Sequence, residues 1–218
     1  GRHSHGHHQN GDADDLTSPA TADGRIDGVG SIDSAGQSIA IGDLNDDGHP
    51  DLIVGAPFGH SNYGRVSISM GRGDGFAGTR TLNDADTDLT GPSYGSALGY
   101  SLDAADFDGD GADELIAGAP LASESFSKAG AVYIYNGHSE FFDSSPEAST
   151  VISGEFDDHQ FGVEVVAGPD LNGDGEPDLL AGAIHAWRGL VTKGGRVYGF
   201  TGPRSEWAAT RSAATAPI

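Results

Sequence analysis

Cysteine is absent from this chain of 218 residues, and lysine occurs only at Lys128 and Lys193. Without cysteine the protein has neither disulfide bonds nor thiolate chemistry, so the sequence does not reveal its redox compartment. No apolar run approaches the roughly 18 residues that a membrane-spanning helix needs. We therefore predict no membrane insertion.

Positive charge is also scarce. Lys and Arg number 11 against 33 Asp and Glu, which gives a formal net charge of -22 at pH 7. Nucleic-acid backbones and anionic membranes carry charge of the same sign, so we predict no nucleic-acid partner. A chain of this length forms one β domain or two small ones, with enough residues for a core.

The acidic residues concentrate in a nine-residue pattern that occurs three times, at 43–51, 106–114 and 170–178. Each copy has side-chain oxygens at positions 1, 3, 5 and 9 and glycine at position 6. Calcium takes about six to eight oxygen ligands, and a backbone carbonyl at position 7 can be one of them. We therefore predict three Ca²⁺ sites. Their ligands are predicted to be Asp43, Asn45, Asp47, His49 and Asp51; Asp106, Asp108, Asp110, Ala112 and Glu114; and Asp170, Asn172, Asp174, Glu176 and Asp178.

An EF-hand is the obvious alternative, but its loop requires a bidentate Glu at position 12 and a helix on each side. Position 12 is occupied here by Val54, Ala117 and Ala181. The flanking segments are short apolar or alternating runs interrupted by glycine, which is typical of strands. Each acidic loop is therefore predicted to join two strands.

The motif belongs to a repeat, since its first aspartate recurs after 63 and then 64 residues. Gly55-Ala56-Pro57 and Gly118-Ala119-Pro120 follow the first two loops, and Phe161-Gly162 precedes the third. These units resemble FG-GAP repeats, which build the calcium-bearing β-propeller of integrin α subunits. The resemblance implies an all-β fold of three propeller blades, each with four antiparallel strands. It also implies that the loop between the first two strands of a blade holds Ca²⁺.

We assign the three repeats to residues 25–88, 89–151 and 152–203. Residues 1–24 are predicted to be a disordered tail rich in His and Asp, and 204–218 a C-terminal tail or an outer strand. Closed propellers have four or more blades, so three blades are expected to be completed by self-association, by a partner protein or by the rest of a longer chain.

We find no residue pattern in the sequence that predicts a catalytic site. The histidines lack the H-E-x-x-H spacing of zinc hydrolases. The segment 91–95 matches G-x-S-x-G but lies between repeats, where we predict a turn rather than a nucleophile elbow. The protein is therefore predicted not to be an enzyme. Tyr63 and Trp187 follow the Gly-Ala turns and are candidate ligand-binding residues, because exposed loops of this kind carry binding residues.

These observations lead to one main hypothesis and two alternatives. The main one is a secreted or cell-surface module, stabilised by structural calcium, for extracellular protein recognition, adhesion or self-assembly. An extracellular location is expected because weak calcium sites normally work outside the cytosol. The alternatives are a lectin-like propeller that binds glycans, and the accessory propeller of a secreted hydrolase.

Overall fold

The computed structural model describes residues 22–73, 76–143, 145–168, 170–187 and 194–201, and the backbone of 210–212. Strands make up nearly all of its regular structure, which confirms the all-β prediction. The exceptions are a turn at Gly59–Asn62, in which His60 and Ser61 have left-handed φ of 47° and 59°, and a 3₁₀ turn at Leu82–Asp84. Over these residues, none of the helical segments has the length and apolar character needed to cross a bilayer. Most of the predicted N-terminal tail, 1–21, lies outside the described residues.

Fourteen strands are present in the described residues. In chain order they are β1 (Gly24–Asp27), β2 (Ser38–Gly42), β3 (Asp51–Ala56), β4 (Arg65–Ser69), β5 (Gly78–Thr81), β6 (Thr87–Thr90), β7 (Ser101–Ala105), β8 (Glu114–Ala119), β9 (Ala131–Tyr135), β10 (Thr150–Ser153), β11 (Phe161–Ala167), β12 (Leu179–Ala183), β13 (Arg196–Phe200) and β14 (Thr210–Ser212).

These strands form three blades. Blade 1 is the antiparallel sheet β2-β3-β4-β6, and blade 2 repeats that order in β7-β8-β9-β10. Blade 3 contains β11, β12 and β13. The prediction of four antiparallel strands is therefore met in blades 1 and 2, whereas the described residues give blade 3 only three.

Two parallel strand pairs lie outside the antiparallel blades. After β13 the next described strand is β14, which pairs in parallel with β10 of blade 2. Residues 210–212 of the predicted C-terminal segment thus lie at the edge of blade 2. Blade 1 has the same device, because β5 follows β4 and pairs in parallel with β1. In both cases the strand that follows the third strand of a blade pairs with a strand that precedes that blade in the chain: β5 with β1, and β14 with β10.

Consecutive blades stack face to face and bury apolar side chains between them. Val66 of blade 1 shares a buried cluster with Leu115 of blade 2, and Val132 and Ile134 of blade 2 share another with Tyr198 of blade 3. Blade 2 is covered on both faces, so every residue of β8 and β9 is buried. This explains why these strands are continuous apolar runs rather than alternating ones.

Glycine in the middle strand allows the blades to approach closely. A Cβ on Gly55 would overlap the carbonyl oxygen of Gly99, and a Cβ on Gly118 would overlap that of Gly162. The same carbonyls accept hydrogen bonds from the preceding blade, at 2.8 Å from Ser38 Oγ and 2.9 Å from Ser101 Oγ. The two blade junctions are therefore built alike.

We expect Gly118→Ala to destabilise the protein by about 1–3 kcal/mol or more, because the added methyl group forces blades 2 and 3 apart. Gly182 holds the equivalent position in blade 3, where an added Cβ would meet its nearest neighbour, Val163 Cγ1, at an ordinary 3.5 Å. Gly182→Ala is therefore the matched control. Chemical denaturation at concentrations where light scattering shows a monomeric chain measures both free energies of unfolding, and equal losses in the two variants would contradict the packing argument.

Candidate metal centres

Each acidic loop joins the first two strands of a blade, as the sequence predicts. The first loop connects β2 to β3, the second connects β7 to β8, and the third connects β11 to β12. Each of them turns through two left-handed residues, at positions 4 and 6. These are Asp46 (φ 54°) and Gly48 (φ 81°), Gly109 (φ 74°) and Gly111 (φ 103°), and Gly173 (φ 79°) and Gly175 (φ 92°). Glycine reaches this backbone region without steric cost, and Asp tolerates it better than most residues do.

The aspartate at position 1 is the centre around which each loop folds. Asp43 Oδ2 accepts the N–H of Gly48 at 2.8 Å. Asp170 Oδ2 accepts the N–H of Gly175 at 2.9 Å in the third loop, and Asp106 does the same in the second. The glycine at position 6 therefore brings its amide directly over this carboxylate.

Hydrogen bonds link positions 3, 5 and 7 of the loops. In the first loop, Asp47 Oδ1 accepts the N–H of His49 at 2.8 Å. In the third, Asp174 accepts the N–H of Glu176 at 2.9 Å and a bond from Asn172 Nδ2 at 2.7 Å. These bonds lower the pKa of Asp174, so the carboxylate stays ionised. Position 7 residues thus lie beside the position 5 carboxylate through their N–H groups, as Ala112 also does with Asp110.

The acid at position 9 is fully buried in all three loops, in Asp51, Glu114 and Asp178. One of its oxygens accepts the N–H of the residue at position 2, at 2.9 Å, 2.8 Å and 2.7 Å respectively. The other oxygen of Asp178, Oδ1, has no hydrogen-bond partner among the described residues. A buried anionic oxygen without a partner is costly, and a bound cation would satisfy it.

Burial also acts on Asp51. It raises the pKa of that carboxyl, although N–H donors from Gly71 and Leu44 oppose the shift, and the neighbouring charges of Asp47 and Asp43 add to it. The first loop therefore contains a carboxylate whose charge is unfavourable in the absence of a positive partner. A divalent cation at this point would reverse that balance.

The second loop gathers its acids most closely. One ligand oxygen from each of Asp106, Asp108 and Glu114 lies within 4.8 Å of the others, and no other group of three or more acidic or histidine side chains is so compact in the described part of the chain. Asparagine replaces aspartate at position 3 of the other two loops, at Asn45 and Asn172, which lowers their carboxylate count. Oxygen donors in a tight, partly buried cluster are the chemistry that Ca²⁺ requires.

Comparison with known proteins agrees with this geometry. The FG-GAP repeat model matches residues 35–69, 98–135 and 161–200, one match for each blade. The chain belongs to the FG-GAP repeat family. This confirms the resemblance seen in the sequence, and the acidic loops fall inside the three matched segments.

The relatives of this FG-GAP chain include integrin α chains and a phospholipase. It is 36% identical over 172 residues to integrin alpha-5 of Xenopus laevis, covering 73% of this chain and 15% of that protein. It is 36% identical over 176 residues to phosphatidylinositol-glycan-specific phospholipase D of Homo sapiens, covering 77% of this chain and 21% of that protein. The chain therefore spans only a small part of the length of these relatives.

Tyr63 and Trp187, the two candidate ligand-binding residues, are 37% and 48% exposed. Tyr63 packs edge-to-face against Tyr94, with ring centroids 6.1 Å apart. Trp187 packs against His159 at 5.8 Å. The two candidates thus belong to separate aromatic contacts, and the structure does not unite them in one site.

His159 is a residue that sequence reasoning missed. It is 1% exposed and lies between the rings of Phe156 and Trp187, at 5.2 Å and 5.8 Å. Neither ring nitrogen has a hydrogen-bond partner among the described residues. Burial lowers the pKa of His159 from its ordinary 6.5, so the ring is held neutral. A single histidine outside any motif gives no sequence signal for such burial.

The FG-GAP chain should lose stability as the pH falls through 6.5, because the unfolded state then binds a proton that buried His159 resists. His159→Phe removes this titration and should retain more of its free energy of unfolding on acidification. His138, which is exposed, replaced in the same way serves as the control. Denaturation curves at several pH values give the comparison, and identical pH dependence in H159F and the unmodified protein would contradict the burial argument.

Proposed function

We propose that each of the three loops binds one Ca²⁺ and that the ion is structural. The observation that carries this proposal is the buried acid at position 9, found in all three loops and bonded to the N–H of position 2. The ligands would be the side chains at positions 1, 3, 5 and 9, with the carbonyl at position 7. The unpartnered oxygen of Asp178 and the acid cluster of the second loop fit such an ion.

The energetic role of the ion follows from charge. The first loop alone places Asp43, Asp46, Asp47 and Asp51 within nine residues, and their mutual repulsion opposes the folded loop. An ion that binds only the folded state adds about 2.7 kcal/mol per site when its free concentration is 100 times Kd. Three filled sites would therefore contribute a large share of the stability of a domain of this size.

For the whole module we propose extracellular protein recognition, at the cell surface or after secretion, without catalysis. The relatives of the chain include integrin α chains, and the loop chemistry suits the calcium concentrations found outside cells. The G-x-S-x-G segment at 91–95 leaves β6 and enters a turn, with no helix after it to form a nucleophile elbow. The exposed faces and loops of the blades would provide the contact surface.

A second candidate is the accessory propeller of a secreted hydrolase. It is favoured by the match to phosphatidylinositol-glycan-specific phospholipase D, which covers 77% of this chain but only 21% of that protein. In this case the module would bind or position a substrate for a catalytic domain elsewhere. A pull-down with extracellular proteins, compared with binding to glycan arrays and to lipid-anchored substrates, distinguishes this role and the glycan-binding alternative from protein recognition.

Isothermal titration with Ca²⁺ should show three sites per chain. Asp47→Ala removes the position 5 carboxylate and should reduce the count to two. Loss of a residue that only supports a metal ligand already lowers metal affinity by about 10–100-fold, and Asp47 is a proposed direct ligand. Asp46→Gly removes the same charge from the same loop at position 4, where the other two loops already have glycine. This variant should keep three sites.

Chelation of calcium with EGTA should lower the thermal midpoint by more than about 10 °C, given the stabilisation expected from three sites. Mg²⁺ should restore little of the loss, because it demands a tighter octahedral geometry. An unchanged midpoint after chelation, or the loss of a site in D46G as well as in D47A, would overturn the structural calcium proposal.

A further inference from the structure

Equivalent residues of the three blades have very different exposure at one end of the stack. Val66 in β4 and Val132 in β9 are fully buried, whereas Val197 at the same place in β13 is 73% exposed. The first two valines each reach the glycine that opens the next blade: their Cγ2 atoms lie 3.1 Å from where a Cβ on Gly99 or Gly162 would stand. Val197 thus has the side chain for this contact, but the described residues contain no following blade to receive it.

The residue at position 2 of each acidic loop shows the same difference in exposure. Leu44 and Phe107 are 0% and 1% exposed, and each lies in the cluster shared with the following blade. Leu171, the equivalent residue of blade 3, is 55% exposed. Val166 in β11 is 43% exposed on the face that also carries Val197. The outer face of blade 3, named here the last face, therefore carries exposed apolar side chains beside Glu164, and no other described residues cover them.

The opposite end of the stack is open along β2, although Val54 and Ala56 of β3 on the same side are buried in a cluster with Leu82. Ile39 and Ile41 of β2 are 61% and 66% exposed. The residues equivalent to Ile39 in the other blades, Leu102 and Val165, are 9% and 3% exposed because they pack on the preceding blade. This side of blade 1, named here the first face, is built to follow another blade.

Strand β1 is a second, independent indication that blade 1 is built to follow another blade. Its sequence Ile26-Asp27-Gly28 corresponds to Leu89-Thr90-Gly91 at the end of β6 and to Ile152-Ser153-Gly154 at the end of β10. Both β6 and β10 are fourth strands that pair antiparallel with the third strand of their blade. In the described residues β1 pairs only with β5, in parallel, as β10 does with β14. It is therefore a fourth strand held in place beside blade 1 with one edge unpaired.

We propose that the last face of one chain packs on the first face of a second copy of the same chain, head to tail. Strand β1 of the second copy would pair with β13 and supply the fourth strand of blade 3. By the register of the two internal blades, Ile26 would lie opposite Val197. Val197 would rest on Gly36, which has a φ of 84° against 83° in Gly99 and Gly162 and no atom within 4 Å of its Cβ position.

Blade number sets the size of the assembly. Closed propellers typically have four to eight blades, and the only multiple of three in that range is six. Two chains placed head to tail at both junctions would therefore close a ring, with a mass twice the 22.2 kDa of the chain. The contact is the same at both junctions, so it satisfies the two-fold symmetry of most small oligomers.

Light scattering of the full chain in calcium buffer at physiological ionic strength tests the proposal. The unmodified protein should have the mass of a dimer. Val197→Asp and Ile39→Asp each place a charge on one end face and should return the protein to a monomer. Tyr94→Asp is the matched control, because Tyr94 is 72% exposed but lies in the turn between blades 1 and 2. It should leave the dimer intact.

Mixing the two monomeric variants tests the direction of the contact. V197D keeps a normal first face and I39D keeps a normal last face, so an equimolar mixture should form dimers through one intact junction, with weaker affinity than the unmodified protein. If the chains instead associated through two copies of the same face, one variant would still dimerise alone and the mixture would add nothing. That result would overturn the head-to-tail arrangement.

A monomeric mass for the unmodified protein, or a dimer unaffected by V197D, would also overturn the proposal. Calcium stoichiometry measured on the same samples separates this failure from a failure of the calcium proposal. Three bound ions in a monomer would reject only the head-to-tail contact, whereas a dimer without calcium would reject only the metal assignment. Unchanged calcium binding and circular dichroism in V197D exclude misfolding as the cause of its monomeric state.

Discussion

This architecture depends on one constraint: each sheet needs a neighbour packed on both of its faces. The middle blade meets it completely, with all of β8 and β9 buried between neighbours. Burial of this apolar area stabilises the stack at roughly 25 cal/mol for each Å² removed from water. It requires backbones to come close, which is why glycine stands at 55 and 118 beneath the carbonyls of the next blade. A single blade could not meet this constraint, and the repeat follows from it.

The acidic loops are coupled to this packing through their last ligand position. Asp51 and Glu114 are the first residues of β3 and β8, and Asp178 directly precedes β12. Each bonds back to the N–H of position 2, whose side chain in the first two loops, Leu44 and Phe107, is buried against the next blade. The loop thus links the start of the middle strand to the junction between blades. Neutralising its charge would favour the hairpin and the stack together.

Much of this arrangement could be predicted from the sequence, because the signals are local. The acidic loops, their flanking strands and the blade period all depend on residues close together in the chain. The parallel pairs β1–β5 and β10–β14 could not be predicted, since they join segments about 50 to 60 residues apart without a distinctive pattern. The left-handed backbone at position 4 was also not predicted. Gly109 and Gly173 occupy this position in two loops, but Asp46 occupies it in the first, so the sequence shows no shared glycine there.

The end faces differ from the internal junctions in ways that affect how strongly they can bind. Glu164 stands in blade 3 where Ser38 and Ser101 donate to the next blade, so this hydrogen bond cannot recur. On the first face, Arg65 replaces the alanine of β9 and is buried in an ion pair with Asp88 at 2.6 Å. Buried charge pairs roughly balance their desolvation cost, whereas apolar side chains at the same place gain from burial. A junction between two chains would therefore be weaker than the junctions within one, and its association would be reversible.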